Sequence, residues 1–179
     1  MTTHTTNWQI DAAHSAVEFA VKHMMFTTVR GRFKNVKGTI EVDEQNPDRS
    51  TVEVEIDAAS IDTGVVDRDG HLRSPDFLNV EVHPVLTFRS TGVLEPKGNE
   101  FRLVGDLTIR DVTRPVELDV EFEGVAKSPW GQEVIGFSAT TEIDREEFGI
   151  TWNQALETGG VVVGKKVKIE ISAEATRQS

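Results

Sequence analysis

The chain has 179 residues, enough for one domain with a buried core, and hydrophobic residues make up 37% of it. A formal net charge of −11 argues against nucleic-acid binding and against electrostatic docking on anionic lipid head groups, since both depend on Lys and Arg. The chain has no cysteine, which excludes disulfides, thiolate nucleophiles and thiolate metal sites.

The N-terminus shows neither the basic nor the apolar segment of a secretory signal, and no run reaches the roughly 20 apolar residues of a membrane span. We therefore predict a cytoplasmic protein without stable membrane insertion, or a periplasmic one if the sequence is a mature form. Residues 1–7 are predicted to be a flexible leader and residues 176–179 a C-terminal tail. Residues 8–175 are predicted to form a single domain.

Alternation of apolar and polar residues with a period of two dominates the chain, which is typical of strands with one buried face. About eight such segments follow one another, and short turn signals separate several of them. Short links favour antiparallel neighbours. The segments are Val17–Val21, Ile40–Val42, Val52–Ile56, Leu86–Phe88, Phe101–Ile109, Val116–Phe122, Ile135–Ile143 and Val167–Ala173.

Three segments interrupt the alternation. Ser74–Leu78 has Ser where an N-cap is expected and Pro at the next position, which predicts a short helix. Asp144–Gly149 predicts a helical turn that ends at its glycine. The glycine-rich segment Gly159–Gly164 leads into the last strand and is interpreted as a turn and a bulge.

Eight antiparallel strands fit either a sandwich or a barrel, and a barrel has the advantage of leaving no exposed edges. We predict an all-β, eight-stranded antiparallel barrel with one or two short helices. A barrel of this size is either filled by side chains or holds one small ligand. Small residues on the inward parity favour a hollow, but large neighbours could equally fill the space. They are Gly105, Ala139, Thr141 and Ala173.

The polar residues give no clear catalytic motif. None of the five histidines has the close spacing of a metal site, so no metal is predicted. There is no Gly-x-Ser-x-Gly elbow, and no catalytic residue is predicted. The densest polar cluster is the loop Asp67–Arg73, which is either a clamp for a ligand head group at a barrel mouth or an ion-paired structural loop. His23 shares the inward parity of Phe19 and Val21.

The chain resembles the YceI-like family of lipid carriers from Trp8 to Ala173. The most specific part of the match is Ala59–Gly64 followed by Arg68–Leu78. Asp111 stands where a glycine is expected in the turn before Thr113-Arg114-Pro115. Further segments with matching order and spacing are Trp8–Asp11, His14–Phe19, His23–Met24, Val29–Phe33, His83–Ser90, Gly105–Ile109, Thr113–Val116 and Ile143–Ile150.

The resemblance implies an extended lipocalin-like barrel whose apolar cavity holds a polyisoprenoid, quinone-type or fatty lipid, with no required cofactor. A homodimer is consistent with it. The predicted cavity wall is Phe19, Val21, Phe33, Ile40, Val54, Ile56, Leu86, Phe88, Leu107, Ile109, Leu118, Phe137 and Ile143. The predicted lid is Phe77, Leu78, Phe148 and Trp152. The predicted head-group contacts are His23, Arg68, Asp69 and His71.

The function predicted from these observations is that of a binding protein, not an enzyme, which carries or stores such a lipid. Two alternatives stay open. One is a lipid-acting isomerase or hydrolase that uses His71 or His23 as an acid or base. The other is a filled barrel that acts only through contacts with other proteins.

Overall fold

The computed structural model describes residues 4–179, which form eleven strands and one α-helix. Each of the eight alternating segments lies inside one of these strands. The strands are β1 (Thr5–Ile10), β2 (Ala16–His23), β3 (Thr27–Phe33), β4 (Val36–Asp43), β5 (Thr51–Asp57), β6 (Ile61–Asp62), β7 (Val85–Lys97), β8 (Glu100–Ile109), β9 (Val112–Lys127), β10 (Glu133–Asp144) and β11 (Val163–Arg177). The helix is α1 (Val66–Arg73), and short 3-10 turns lie at Ala12–His14, Pro47–Arg49, Ala58–Ser60 and Arg145–Phe148.

Eight of the strands form a closed antiparallel barrel, which confirms the predicted fold class. Their order around the wall is β1-β4-β5-β7-β8-β9-β10-β11, and the pairing of β11 with β1 closes the ring. In β1, Trp8 lies opposite Ile40 of β4 on one side and opposite Arg177 of β11 on the other. Closure pairs backbone groups that an open sheet would leave at its edges.

The remaining strands extend the wall at one end of the barrel. The C-terminal part of β11 pairs with β1, whereas its stretch Val163–Ser172 pairs with β2. β2 pairs in turn with β3, and β3 with β6. The register of β11 against β2 shifts between Val163 and Val167. This bulge follows Gly159–Gly164 and confirms the interpretation of that segment.

The N-terminal and C-terminal boundaries of the barrel differ from the prediction. Strand β1 begins at Thr5, so residues 5–7 belong to the barrel and not to a flexible leader, while residues 1–3 lie outside the described residues. Strand β11 likewise continues to Arg177, into the predicted tail. The sequence of β1 has only two apolar residues, Trp8 and Ile10, which is too short a pattern to stand out. Its pairing with two distant strands forms the strand instead.

The predicted helix Ser74–Leu78 is wrong, because the α-helix lies one segment earlier. Helix α1 covers Val66–Arg73, the whole of the predicted polar loop, and Ser74 follows it as the C-terminal cap, with its backbone N–H donating to the carbonyl of His71. The hydroxyl of Ser74 also donates to that carbonyl, at 2.6 Å. Ser and Pro therefore mark the end of a helix here and not its beginning.

The predicted helical turn at 144–149 is confirmed as a 3-10 turn, Arg145–Phe148. The carboxylate of Asp144 accepts from the backbone N–H of Glu146 at 2.9 Å, as a capping residue does. Gly149 ends the turn with φ 78°, a left-handed conformation that favours glycine.

The barrel has two different ends, which we name the α1 end and the turn end. The α1 end carries helix α1, the turn Arg145–Phe148, the following loop 149–162 and the tip of the β2–β3 hairpin, residues 24–26. The turn end carries the β4–β5, β7–β8 and β9–β10 connections. Apolar side chains face inward between the two ends and form the core.

Candidate functional site: the barrel cavity

The barrel encloses a cavity of about 1440 Å³. Its wall is almost entirely apolar, and polar side chains border it mainly at the two ends. Large-against-small packing does occur at Gly105, where the ring of Phe88 leaves no room for a Cβ atom. Ala139, Thr141 and Ala173 line the open cavity, however, and the interior as a whole is hollow.

The structure brings together all thirteen residues of the predicted cavity wall, from Phe19 on β2 to Ile143 on β10. Strand parity placed them correctly, because alternate side chains of a barrel strand share one face. That a ligand touches them stays a prediction.

Sequence reasoning missed a second group of wall residues. Some have the same parity on predicted strands and were detectable by extending the pattern toward the turn end. Others, Trp8 and Ile10, lie on β1, which the alternating pattern did not predict. The group includes Trp8, Ile10, Val52, Phe101, Leu103, Val120, Phe122 and Ile135.

The size and lining of the cavity limit what it can bind. Typical small-molecule pockets measure about 300–1,000 Å³, so this cavity suits a long ligand. An apolar wall gives favourable contact only to apolar surface, at roughly 25 cal/mol per Å² removed from water. The arrangement therefore fits a long apolar chain with any polar group near an end of the barrel.

Aromatic side chains gather where the cavity meets the α1 end. The His71 ring packs edge-on against Phe77 and Trp152, with ring centroids 5.0 and 4.7 Å away. Phe77 and Trp152 are 5.4 Å apart, and all three residues line the cavity with Leu78. Three of the four predicted lid residues thus lie together at this end.

The fourth lid residue, Phe148, does not line the cavity, which corrects its assignment. It is 1% exposed and belongs to the buried core cluster at the α1 end. Its role is to anchor the turn Arg145–Phe148, because a side chain this large is costly to leave in water.

The predicted head-group residues separate into two sets. His23, Arg68 and His71 line the cavity. Asp69 does not, and it is buried with its carboxylate accepting from the backbone N–H of Thr63 at 2.8 Å and from the Thr63 hydroxyl. Asp69 is therefore a structural residue. Within this polar segment, a structural role fits Asp69, whereas a head-group contact is still possible for Arg68 and His71, which line the cavity.

Arg68 and His71 are partly engaged by the protein itself. Arg68 donates from Nε to the Thr63 hydroxyl at 2.7 Å and from its terminal nitrogen to the Thr63 carbonyl at 3.0 Å. The Nε2 atom of His71 lies 2.9 Å from a carboxylate oxygen of Asp76. These contacts hold both side chains in place at the mouth.

Arg145 is a cavity residue that the sequence analysis did not single out. It is 5% exposed, and its guanidinium donates to the carbonyls of Ile150, Trp152, Val163 and Gly164 at 2.8–3.2 Å. No carboxylate within residues 4–179 forms an ion pair with it. Burial lowers the pKa of Arg145 below its usual value, and the charges of Glu146 and Asp144 oppose that shift.

The two openings differ in charge. The α1 end offers the side chains of Lys22, Arg68 and Arg145 to the cavity, together with Asp67 and two histidines. The turn end offers the carboxylates of Glu44, Asp48 and Glu100. A polar ligand group that accepts hydrogen bonds or carries negative charge is therefore favoured at the α1 end.

One histidine lies in an acidic cluster outside the cavity. Asp11, His14 and Glu174 bring potential ligand atoms within 4.8 Å of one another on an exposed surface. The Nδ1 atom of His14 is 2.7 Å from the Asp11 carboxylate. This hydrogen bond raises the pKa of His14 and lowers that of Asp11. The charge of Glu174 adds to the rise for His14, and the backbone N–H groups of Ala13 and His14 add to the lowering for Asp11.

A closed antiparallel barrel around a long apolar cavity defines a ligand-binding barrel of lipocalin-like architecture. The chain belongs to the family described as YceI-like domain, which matches residues 8–175 and confirms the resemblance. A UPF0312 protein of Staphylococcus epidermidis is 44% identical over 170 residues, 94% of this chain and 96% of the relative. A UPF0312 protein of Staphylococcus aureus is 43% identical with the same coverage.

Solved structures share the fold. BcnA of Burkholderia cenocepacia has a TM-score of 0.78 at 24% identity, over 92% of this chain and 98% of BcnA. A YCEI protein of Campylobacter jejuni has a TM-score of 0.73 at 30% identity, over 88% and 90% of the two chains. A polyisoprenoid binding domain from Saccharophagus degradans has a TM-score of 0.71 at 13% identity, over 99% and 100%. The first and third likenesses concern the fold alone.

Proposed function

We propose that this protein carries or stores a long-chain polyisoprenoid or a similar amphiphilic lipid in its barrel cavity. The observation that carries the proposal is the apolar cavity of about 1440 Å³. Membership of the YceI-like family supports it, as does the shared fold with a domain described as polyisoprenoid binding. Among residues 4–179 no helix is long and apolar enough to span a bilayer.

The charges at the two openings suggest how the lipid lies. Its apolar tail would extend toward the turn end, where acidic side chains border the cavity. Its polar head would lie at the α1 end beside His23, Arg68 and His71. These side chains supply donors to a head group that must leave water when the tail is buried.

Native mass spectrometry of the protein, purified without detergent and then incubated with a polyprenol, tests the proposal. We expect a bound species that organic extraction releases as the intact lipid. The predicted homodimer, cytoplasmic location and lack of a required cofactor stay predictions, and the proposal does not depend on them.

Filling the cavity with a larger side chain should weaken lipid binding. The side chain of Leu107 points into the cavity from β8, so Leu107→Trp places an indole in the path of the tail. We expect binding at least about tenfold weaker, because one decade corresponds to about 1.4 kcal/mol of lost contact. The matched control is Val104→Trp on the same strand, whose side chain does not line the cavity. Equal lipid binding by both folded variants would refute the cavity assignment.

A lipid-acting enzyme is the second candidate, and the contact between His71 and Asp76 favours it. A carboxylate that orients an imidazole is the arrangement a general base requires. The same extraction separates the two functions, because an enzyme returns a chemically altered lipid and a carrier returns the one supplied. Altered lipid from the wild type but not from His71→Ala would establish the enzyme.

A further inference from the structure

The tip of the β2–β3 hairpin exposes three consecutive apolar side chains. Phe26 is 84% exposed, Met25 61% and Met24 37%. At the start of α1, Val66 is 85% exposed and its neighbour Val65 is 47% exposed. Consecutive large apolar side chains in water, as at the hairpin tip, mark a contact surface. We call these five residues the apolar rim.

The apolar rim borders the mouth of the cavity at the α1 end. His23 precedes the hairpin tip and Asp67 follows Val66, and both line the cavity. The backbone N–H of Met24 donates to the carbonyl of Val162 at 2.8 Å, which ties the tip to a second residue of the mouth. Whatever contacts the apolar rim therefore lies against the opening.

The charge around the hairpin is opposite to that of the whole chain. Residues 19–40 contain five of the 19 Lys and Arg residues and none of the 30 Asp and Glu residues. The five are Lys22, Arg30, Arg32, Lys34 and Lys37. Lys34 and Lys37 form ion pairs with Asp62 and Glu55, toward the barrel body.

The two cations nearest the tip have no such partners. Among the residues the structure describes, no carboxylate lies within ion-pair distance of Lys22 or Arg30. Lys22 instead donates to the hydroxyl of Thr28 across the hairpin, at 3.2 Å. The same end also carries acids: Asp67 on α1, Glu146 and Glu147 on the turn Arg145–Phe148, and Glu157 on the loop 149–162. Glu146 forms an ion pair with Lys165 at 3.5 Å.

We propose that the apolar rim docks on the surface of a bilayer that contains anionic lipid. Phe26, Met25 and Val66 would enter the boundary between head groups and acyl chains, and Lys22 and Arg30 would face the head groups. The total charge of −11 opposes such docking, but charges farther away than about 10 Å are largely screened at 0.1 M salt, so the charges nearest the tip, Lys22 and Arg30 among them, have the greater weight. A docked mouth would let an apolar ligand enter the barrel without crossing water.

Co-sedimentation with vesicles tests this surface, whatever the cavity holds. The vesicles are phosphatidylcholine alone or with about 30% phosphatidylglycerol, a negative surface of the kind that attracts basic segments. We expect the wild type to bind the anionic vesicles. Met25→Ser/Phe26→Ser should bind at least about tenfold more weakly, because each buried apolar side chain contributes about a decade. Lys22→Gln/Arg30→Gln should lose about fivefold per cation on anionic vesicles only.

Trp130→Ser is the matched control. Trp130 is 85% exposed, as Phe26 is, but it lies in the β9–β10 connection at the turn end. Wild-type levels of binding by this variant are expected. Equal losses of vesicle binding in Trp130→Ser and in Met25→Ser/Phe26→Ser would overturn the proposal. A wild type that does not bind anionic vesicles would also overturn it. Val66→Ser provides a second rim variant that leaves the hairpin intact.

Two further measurements distinguish the docking proposal from the carrier proposal and from self-association. Loading of the tip variant with polyprenol from detergent micelles, followed by native mass spectrometry, reports on the cavity alone. A tip variant that loads normally but does not bind vesicles supports docking, and an empty wild type that binds vesicles refutes only the carrier proposal. Self-association that disappears in Met25→Ser/Phe26→Ser, without vesicle binding, would assign the apolar rim to a second copy of the chain.

Discussion

At the α1 end arginine side chains donate to main-chain carbonyls, whereas at the turn end they pair with carboxylates on the surface. Arg102 contacts Glu95, Glu117 and Asp119 there, at 3.3–3.7 Å, and Arg177 contacts Glu133 at 2.9 Å. The carbonyl-bound arginines at the α1 end are Arg68, Arg73, Arg110, Arg114 and Arg145.

The difference follows from the backbone at each end. Turns between paired strands satisfy most of their own hydrogen bonds, so arginines there are free to form exposed ion pairs of little net value. The α1 end carries long connecting segments, whose carbonyls lie mostly outside the strand pairs and would be costly to bury alone. Guanidinium groups, with five donors each, supply those partners.

Arg145→Met should give the largest effect, because it removes the guanidinium from four carbonyls, of which that of Val163 also accepts from Asn153 Nδ2 at 2.7 Å. We expect the free energy of unfolding to fall by about 3 kcal/mol, since each buried unsatisfied group costs about 1–3 kcal/mol and cavity water can replace part of the loss. Urea denaturation measures the change.

Arg102→Met is the control for that experiment at the turn end. Its three ion pairs are exposed and should contribute less than about 1 kcal/mol together. If Arg102→Met lowered the free energy of unfolding as much as Arg145→Met does, the arginines at the two ends would not differ in their contribution to stability.

A smaller effect, of opposite sign, is expected in the β8–β9 turn at the α1 end. Arg110 and Asp111 form this two-residue turn with φ 61° and 89°, both left-handed. Arg110 is held there by donating to the carbonyls of Phe77 and Gly149 at 3.2 and 3.4 Å. Asp111 lies where a glycine was expected, and Asp111→Gly should raise the melting temperature by relieving about 1 kcal/mol of strain. An unchanged or lower melting temperature would mean that the contact of Asp111 with His83 outweighs the strain.

The smallest effect is expected at the pair of His14 and Asp11, between the two ends. The raised pKa of His14 adds stability below its ordinary value of 6.5, which is lost as pH rises through the folded pKa. The lowered pKa of Asp11 adds stability above 3.8, which is lost as pH falls through its folded pKa. In Asp11→Asn the NMR titration of His14 should move down toward 6.5, with little change in the unfolding midpoint. A large change in that midpoint would contradict this expectation and would show that the exposed pair of His14 and Asp11 contributes substantially to the stability of the barrel.

All thirteen predicted wall residues line the cavity, whereas the predicted mouth residues separate into two sets, for one physical reason. A wall residue such as Leu107 follows from strand parity, which is a local property of the chain. At the mouth, Asp69 and Arg68 are neighbours in a helix and both bind Thr63, yet only Arg68 lines the cavity. Which of the two faces the cavity depends on how the helix packs on the barrel, and residue types alone do not specify that.

The sequence by itself determined the alternating strands, the antiparallel barrel, the inward wall and the family. These depend on period-two burial and on short turns, which adjacent residues encode. Only the tertiary structure decided that β1 closes the ring, that the interior is hollow and that Arg145 holds the loop at the mouth. Those features depend on contacts between segments far apart in sequence, such as β1 and β11 at opposite ends of the chain. No local sequence pattern predicts such contacts.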